Sequence, residues 1–471
     1  MRVCLLVEGA YPYVNGGMSN WVQQLMLSMP DVEFIIQSIA STREQTREFK
    51  YKIPQNCLEI QEVYLMDDDY VTNSMQRTIK FSDREYQAFE SLLFGKETDW
   101  DMVLHFFNEK DASLNAVLSG EDFLSMVLNY YNSHFSNVPF TDFLWTMRSM
   151  YLPLFTMLKS CTAEADIYHS ASAGYAGIWG SLEKMKYGKP FIMSEHGIYT
   201  REREEEIIKA DWVKGIYKDL WISQFRKIGD CCYRYADVVT SLFEEARKYQ
   251  LELGCPDEKT RILPNGVNPQ RFTDAAPKEK DDPYINIGAL LRVTPIKDVK
   301  TMINAYALAK EKNKRLKLWI MGDTSENEEY ARECMTLVKE LELEDVEFTG
   351  VIDPNDYIGK MDIMLLSSLS EGQPLSILEA FSASKPFVCT NVGNCRGLLE
   401  GEFDQYGDAG IIVPIMSSTK MADAILKLAE DDKLRESMGA VGLKRVREFY
   451  GEEQCFRRYR ELYEEMLKKS R

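Results

Sequence analysis

The sequence predicts an α/β protein of two Rossmann-like, doubly wound domains, on three observations. At ~100–200 residues per domain, a chain of 471 residues calls for two or three domains with sizeable cores. Short apolar β-rich runs alternate with helical patterns along most of that length, the signature of parallel sheets covered by helices. A polar, charged stretch at 273–282 (TDAAPKEKDD) divides the alternation into two series, which places the domain boundary there.

In the first series the expected strands are Arg2–Val7, Glu33–Ala40, Cys57–Leu65, Asp166–Ala171, Pro190–Glu195, Asp237–Leu242 and Arg261–Leu263. In the second they are Tyr284–Leu290, Leu316–Met321, Val346–Thr349, Asp362–Ser367, Pro386–Thr390 and Gly410–Pro414. Several are almost continuously apolar rather than alternating, as befits strands buried on both faces. Gly17–Met29, Tyr175–Lys186, Val299–Lys312 and Glu326–Leu341 carry helical patterns between them. Residues 81–161 break the alternation. They are helical in pattern and rich in Phe, Tyr, Met and Leu, so they read as an insertion in the first domain (1–275), with the aromatics forming its own core or an interaction surface. The second domain spans 283–450, and 451–471 reads as an amphipathic helix that packs back on the first domain.

Composition excludes several roles. A net charge of -18 repels phosphodiester backbones and anionic lipid, so no nucleic-acid partner is expected. Ten cysteines without ligand-like or framework spacing read as reduced, buried thiols. The apolar run after Arg2 is stopped by Glu8, too short for a signal peptide, and no run approaches the ~20 residues that span a bilayer. A cytoplasmic location is the expectation.

Three segments could carry chemistry. In Ser367–Pro386 (SSLSEGQPLSILEAFSASKP) a buried strand enters a small-residue loop, and Pro374 suits the first turn of a helix. The N–H groups of Leu375 and Ser376 would then point outward at a phosphate. Glu371 and Glu379, with seven residues between them, would touch different parts of an extended ligand. The second segment places Arg292 and Lys297 after the strand Tyr284–Leu290, where open α/β sheets bind ligands; two cations there suit a diphosphate. The third, Glu8–Met18 (EGAYPYVNGGM), offers Gly16 and Gly17 for close backbone approach at a helix start. It is neither a dinucleotide fingerprint nor a P-loop.

Together these segments resemble the retaining family-four glycosyltransferases of the GT-B type. The resemblance covers nearly the whole chain, including the paired glutamates, Pro264-Asn265-Gly266-Val267, Gly322-Asp323 and Ser194–Ile207 (SEHGIYTREREEEI). Within that family the chain is most similar to the subgroup serving Pel-type exopolysaccharide synthesis. The resemblance implies two domains facing across a cleft and a hexosyltransferase using a UDP-sugar donor. It implies that Glu379 binds the ribose, Arg292 and Lys297 hold the diphosphate with the amides of Leu375 and Ser376, and Glu371 contacts the transferred sugar. His196 would touch the donor sugar and Gly17 would let its loop close over the phosphates. A histidine ending a buried strand can equally serve to satisfy a backbone carbonyl. His169 is a weaker candidate of the same kind.

The acceptor would be a growing glycan or a small hydroxyl compound, with membrane-embedded polysaccharide-synthesis proteins as partners. No cofactor and no metal are expected: Asp67-Asp68-Asp69 lacks the pattern of a metal-holding aspartate motif and reads as a solvated turn. Two other readings stay open, a sucrose- or trehalose-type synthase and a non-catalytic scaffold that recruits partners.

Overall fold

The computed structural model describes residues 1–9, 11–14, 16–43, 48–66, 79–110, 112–160, 163–272 and 275–470. The aspartates at 67–69 and Asp274 lie outside them. The chain divides into two compact units, Met1–Ile262 with Tyr459–Arg471, and Leu263–Arg458. The described part of the charged stretch, 275–282, falls inside the second unit.

The first unit is built on seven parallel strands: β1 (Arg2–Glu8), β2 (Glu33–Ala40), β3 (Cys57–Tyr64), β4 (Ile167–Ser170), β5 (Phe191–Glu195), β6 (Val238–Ser241) and β7 (Thr260–Ile262). Their order is β3-β2-β1-β4-β5-β6-β7, so the winding reverses between β1 and β4. Register pairs Leu5 with Ile36 on one side and with His169 on the other. Helix α1 (Gly17–Leu27) links β1 to β2. Between β3 and β4 stand α2 (Asp83–Phe94), α3 (Trp100–Glu109), α4 (Leu114–Leu118), α5 (Glu121–His134) and α6 (Phe140–Lys159), the expected insertion.

Local chemistry starts these helices. Ser82 and Glu85 form a capping box on α2, and Asp99 and Ser113 cap α3 and α4. The insertion's aromatics pack against one another. Phe81 stacks on Phe89 at 4.6 Å, Phe89 meets Phe106 edge-on at 4.9 Å, and the Tyr151 hydroxyl donates to the Leu92 carbonyl at 2.9 Å. That packing is continuous with Cys4 and Leu6 beneath the sheet. The remaining helices are α7 (Tyr175–Tyr187), α8 (Tyr199–Lys209), α9 (Lys218–Tyr235) and α10 (Glu244–Glu252).

The second unit holds six parallel strands: β8 (Ile285–Leu290), β9 (Leu316–Met321), β10 (Val346–Gly350), β11 (Ile363–Leu366), β12 (Phe387–Thr390) and β13 (Gly410–Val413). The order β10-β9-β8-β11-β12-β13 reverses between β8 and β11. Helices α11 (Val299–Lys312), α12 (Glu328–Glu340), α13 (Leu375–Ser382), α14 (Ser418–Glu430) and α15 (Asp432–Phe449) accompany them. The irregular stretch after β12 is anchored by Arg445, fully buried. It pairs with Asp404 at 2.8 Å and donates to the carbonyls of Leu398, Leu399 and Gly407 at 2.7–2.8 Å. Removing one partner of such a pair strands a buried charge, at a cost of about 3–5 kcal/mol.

The last helix, α16 (Glu452–Lys469), begins in the second unit, and from Tyr459 onward its residues belong to the first. There the Tyr463 hydroxyl meets His169 Nδ1 at 2.7 Å, and the Tyr459 ring stacks on the His169 ring at 5.7 Å. Among the described residues no helix is long and apolar enough to cross a membrane.

Candidate functional site

Open α/β sheets bind ligands at the carboxyl ends of their strands, where the winding reverses. In the second unit that point is β8/β11, and two of the sequence candidates meet there. Lys297 follows β8 and Glu371 follows β11, and their side chains form an ion pair of 2.6 Å. Lys297 is only 17% exposed and Glu371 10%. Ser368 donates to the same Glu371 oxygen at 2.5 Å, and Thr390, from neighbouring β12, donates to the Ser368 carbonyl at 2.6 Å. Beneath, the Ser367 hydroxyl reaches the carbonyls of Lys297 and Asp298 at 2.8 and 2.9 Å. Asp298, held at φ 45°, then caps α11. Both charged side chains are thus positioned by serine and threonine hydroxyls that bond to the main chain of neighbouring loops and to Glu371 itself.

Helix α13 opens directly after Glu371. Pro374 is its N-cap, one position earlier than the expected first-turn place, because its ψ of 116° is extended. The consequence for Leu375 and Ser376 is unchanged: their N–H groups precede the first intrahelical bond. No side-chain cap and no first-turn acid compete for the helix's positive end. Glu379 lies half-buried on α13, and burial pushes its carboxyl up to about 7, opposed by the Arg271 guanidinium.

Arg292 departs from the expected paired-cation picture. It is 60% exposed, and its guanidinium pairs with Glu326 at 2.5 Å, on the β9 side of the loop. The cause is local. Gly322, at φ 149°, lets the segment after β9 lie against the Leu291 carbonyl, where a Cβ would come within 1.8 Å. Val293 then donates to the Asp323 carbonyl at 2.8 Å, and Arg292 is turned toward the β9 loop.

The first unit's reversal point, β1/β4, is arranged differently. The Glu8 carboxylate, at the end of β1, accepts from the Ala176 N–H in the first turn of α7 at 2.9 Å and from Ser172 at 3.3 Å. Burial raises the Glu8 carboxyl, although the α7 amide contact and Arg203 oppose the shift. Gly16, extended at φ 176°, and Gly17 open α1 outside the left-handed region, and a Cβ on either would meet nothing within 4 Å. Internal packing therefore does not require glycine there.

His196 follows β5, half-buried, with its ring 4.7 Å from the Trp21 ring, and burial pulls its pKa down to about 4. It is a neutral imidazole at pH 7. His169 is enclosed, with Nδ1 on Tyr463 and Nε2 on Ser194 at 2.8 Å, and burial pulls it down to about 3. It works as a structural junction, which overturns its candidacy as a ligand-facing group. Among the described residues no three His, Cys, Asp or Glu side chains gather as a metal site.

Sequence reasoning missed Glu326, Ser368, Thr390 and Arg271. Only Ser368 left a signal, three residues before Glu371 in the small-residue loop.

Two Rossmann-like parallel sheets, each with its reversal point, define the GT-B fold. The chain is similar to Anabaena HepE, solved in complex with UDP and glucose: 14% identity, 98% of each chain covered, TM-score 0.61. It is also similar to sucrose-phosphate synthase from Thermosynechococcus elongatus, at 15% identity, 99% of this chain and 98% of that one, TM-score 0.62. Residues 284–431 match the family described as "Glycosyl transferases group 1". Residues 1–258 match "Domain of unknown function (DUF3492)", more than half of the chain, and the chain belongs to that family.

Among curated proteins, N-acetyl-alpha-D-glucosaminyl L-malate synthase of Bacillus anthracis is 26% identical over 245 residues, 50% of this chain and 61% of that protein. The capsular polysaccharide biosynthesis glycosyltransferase CapM of Staphylococcus aureus is 26% identical over 339 residues, 68% of this chain and 84% of that protein. This chain thus spans about three fifths of the first of these relatives.

Proposed function

We propose that the chain is a retaining glycosyltransferase that moves a hexosyl unit from a UDP-sugar to a hydroxyl acceptor in exopolysaccharide synthesis. The observation that carries the reading is the Lys297–Glu371 ion pair at the amino end of α13, at the reversal point of the unit that matches "Glycosyl transferases group 1". The names of similar proteins support it. HepE was solved with UDP and with UDP-glucose, and CapM is named for capsular polysaccharide biosynthesis. The likeness of the opening segment, of Ser194–Ile207 and of Leu290–Ile303 to PelF narrows the product to a Pel-like polysaccharide, made on the cytoplasmic side with membrane-embedded partners.

The mechanism follows from where charge develops. As the bond from the anomeric carbon to the donor diphosphate breaks, negative charge builds on the leaving oxygen. Lys297 and the Leu375 and Ser376 amides stabilise it electrostatically, and Arg292 joins them by leaving its Glu326 partner. Glu379, ionised, accepts from the ribose hydroxyls. Glu371 lines the face of the sugar on which the acceptor oxygen bonds. The acceptor's proton passes to the departing diphosphate, so retention needs no covalent glycosyl-enzyme. On the first unit, neutral His196 can donate a hydrogen bond and Gly17 lets the backbone come close to a ligand. No metal takes part; full activity in a chelator is the expected result.

A thermal-shift screen of UDP-glucose, UDP-N-acetylglucosamine, UDP-N-acetylgalactosamine and GDP-mannose tests the reading. A ligand at 100 times its Kd stabilises by about 2.7 kcal/mol, which registers clearly. Stabilisation by one UDP-sugar and not by GDP-mannose is expected; no shift with any of the four removes the reading. Likeness to sucrose-phosphate synthase favours one second reading, a small-sugar acceptor. A soluble disaccharide product would select it over polymer formation.

A further inference from the structure

The short segment between Glu371 and α13 contains Gln373, whose side chain the mechanism above does not use. It is only 6% exposed, and both ends of its amide are engaged by a single residue. Its Oε1 accepts from the Asn265 N–H at 2.9 Å, and its Nε2 donates to the Asn265 carbonyl at 3.2 Å. The side chain therefore imitates a neighbouring strand and seizes one peptide unit by donor and acceptor together. Two bonds in fixed relative geometry resist sliding and rotation in a way that one does not.

Asn265 stands in the segment by which the chain passes from the first unit to the second, three residues beyond the division at Ile262. That segment is tied in turn to the one by which the chain passes back. Val267 donates to the Tyr450 carbonyl and Glu452 to the Val267 carbonyl, each at 2.9 Å. Gly266 lies so close to Gly451 that a Cβ would come within 2.7 Å of its carbonyl oxygen. On its other side the Glu371 loop is seated on the turn after β12, where Asn394 donates to the Gly372 carbonyl at 2.9 Å. Gln373 thus ties the anion-facing loop by its side chain to the first connecting segment, which is itself bonded to the second.

We propose that Gln373 is a positioning residue that transmits occupancy of the Glu371–Ser376 site to the connecting segments at 263–267 and 450–452. The inference rests on that site taking a nucleotide diphosphate. A ligand drawing on the Leu375 and Ser376 amides fixes the start of α13. Gln373, one residue before the N-cap, passes that restraint to Asn265 and onward to the Gly266–Gly451 contact.

Amide hydrogen exchange with UDP as the probe tests this, on wild type, Gln373→Met, which keeps length without hydrogen bonds, and Gln373→Glu, which keeps the acceptor. Without ligand, the Asn265 amide should exchange at least tenfold faster in Gln373→Met, with Gln373→Glu between; equal rates would overturn the clamp. With UDP, wild type should gain protection at 265–267 and 451–452. Gln373→Met should bind UDP within threefold of wild type by calorimetry and gain none. Its kcat should fall at near-constant donor KM. UDP binding that leaves 265–267 unchanged in wild type overturns the coupling alone, whereas failure of wild type to bind UDP overturns the site reading and the coupling with it.

Discussion

The two units answer one electrostatic question in opposite ways. Each has a sheet reversal point and a helix starting beside it: α7 after β4 in the first, α13 after β11 in the second. A helix start carries roughly half a positive charge and attracts an anion. The first unit supplies that anion itself, since Glu8 accepts from Ala176 inside the first turn of α7. The second supplies none, because α13 has neither a first-turn acid nor a side-chain cap, and a lysine stands nearby. Histidine chemistry follows the same division, with His169 and the half-buried His196 of the first unit both held neutral. One unit satisfies its helix start with a carboxylate of its own, and the other leaves α13 without a side-chain cap.

The sharpest way to break this contrast is Lys297→Ala. It removes the cation and leaves Glu371 almost buried without its partner, and UDP affinity should drop at least a hundredfold by calorimetry. Unchanged affinity would move the anion site elsewhere. Next is Glu8→Ala, which frees the α7 start. Loss of the charge-assisted hydrogen bonds should cost about 1.5–3 kcal/mol, read by urea unfolding, with UDP affinity unaffected. A fall in affinity would mean that the first unit's helix start is also used by the ligand.

Glu379 gives the pH test. Its carboxyl is raised from the ordinary value to about 7 in the fold, so the folded state holds the proton more tightly than the unfolded chain. Stability from this group is therefore greatest below the unfolded pKa and is lost as pH rises toward 7. Ribose binding by the ionised form runs the other way and should strengthen from pH 6 to pH 8. Glu379→Gln should abolish both slopes; their persistence would assign them to another group. Gly17→Ala is the gentlest. With open space around it and a helical position, the added methyl should change melting by less than about 0.5 kcal/mol, within the ordinary range for an uncrowded site. A large loss of turnover at intact stability would then locate close ligand approach there.

The strands of both sheets and the loop positions of Lys297 and Glu371 are legible in the sequence, whereas the part played by Glu8 is not. The strands declare themselves because parallel strands are covered on both faces and read as apolar runs; Val3–Val7 and Ile363–Leu366 are buried throughout. Lys297 and Glu371 were found because loop position after a strand is a local property. What escaped depends on partners distant in sequence. The burial of His169 comes from Tyr463, 294 residues away, and the restraint on Asn265 from Gln373, 108 residues away. Arg292 was placed correctly along the chain, yet its direction is set by Gly322 across a neighbouring strand. Spacing specifies where a side chain starts and tertiary contact decides where it points.

The course of α16 bears on synthesis. The first unit's sheet is complete at Ile262, but its His169–Ser194 junction closes only with Tyr459 and Tyr463. At ~5–20 residues per second, a ribosome needs roughly 10–40 s to travel between those points. Through that interval the earlier-made unit waits with a histidine-lined seam uncovered, beginning to fold first and finishing last.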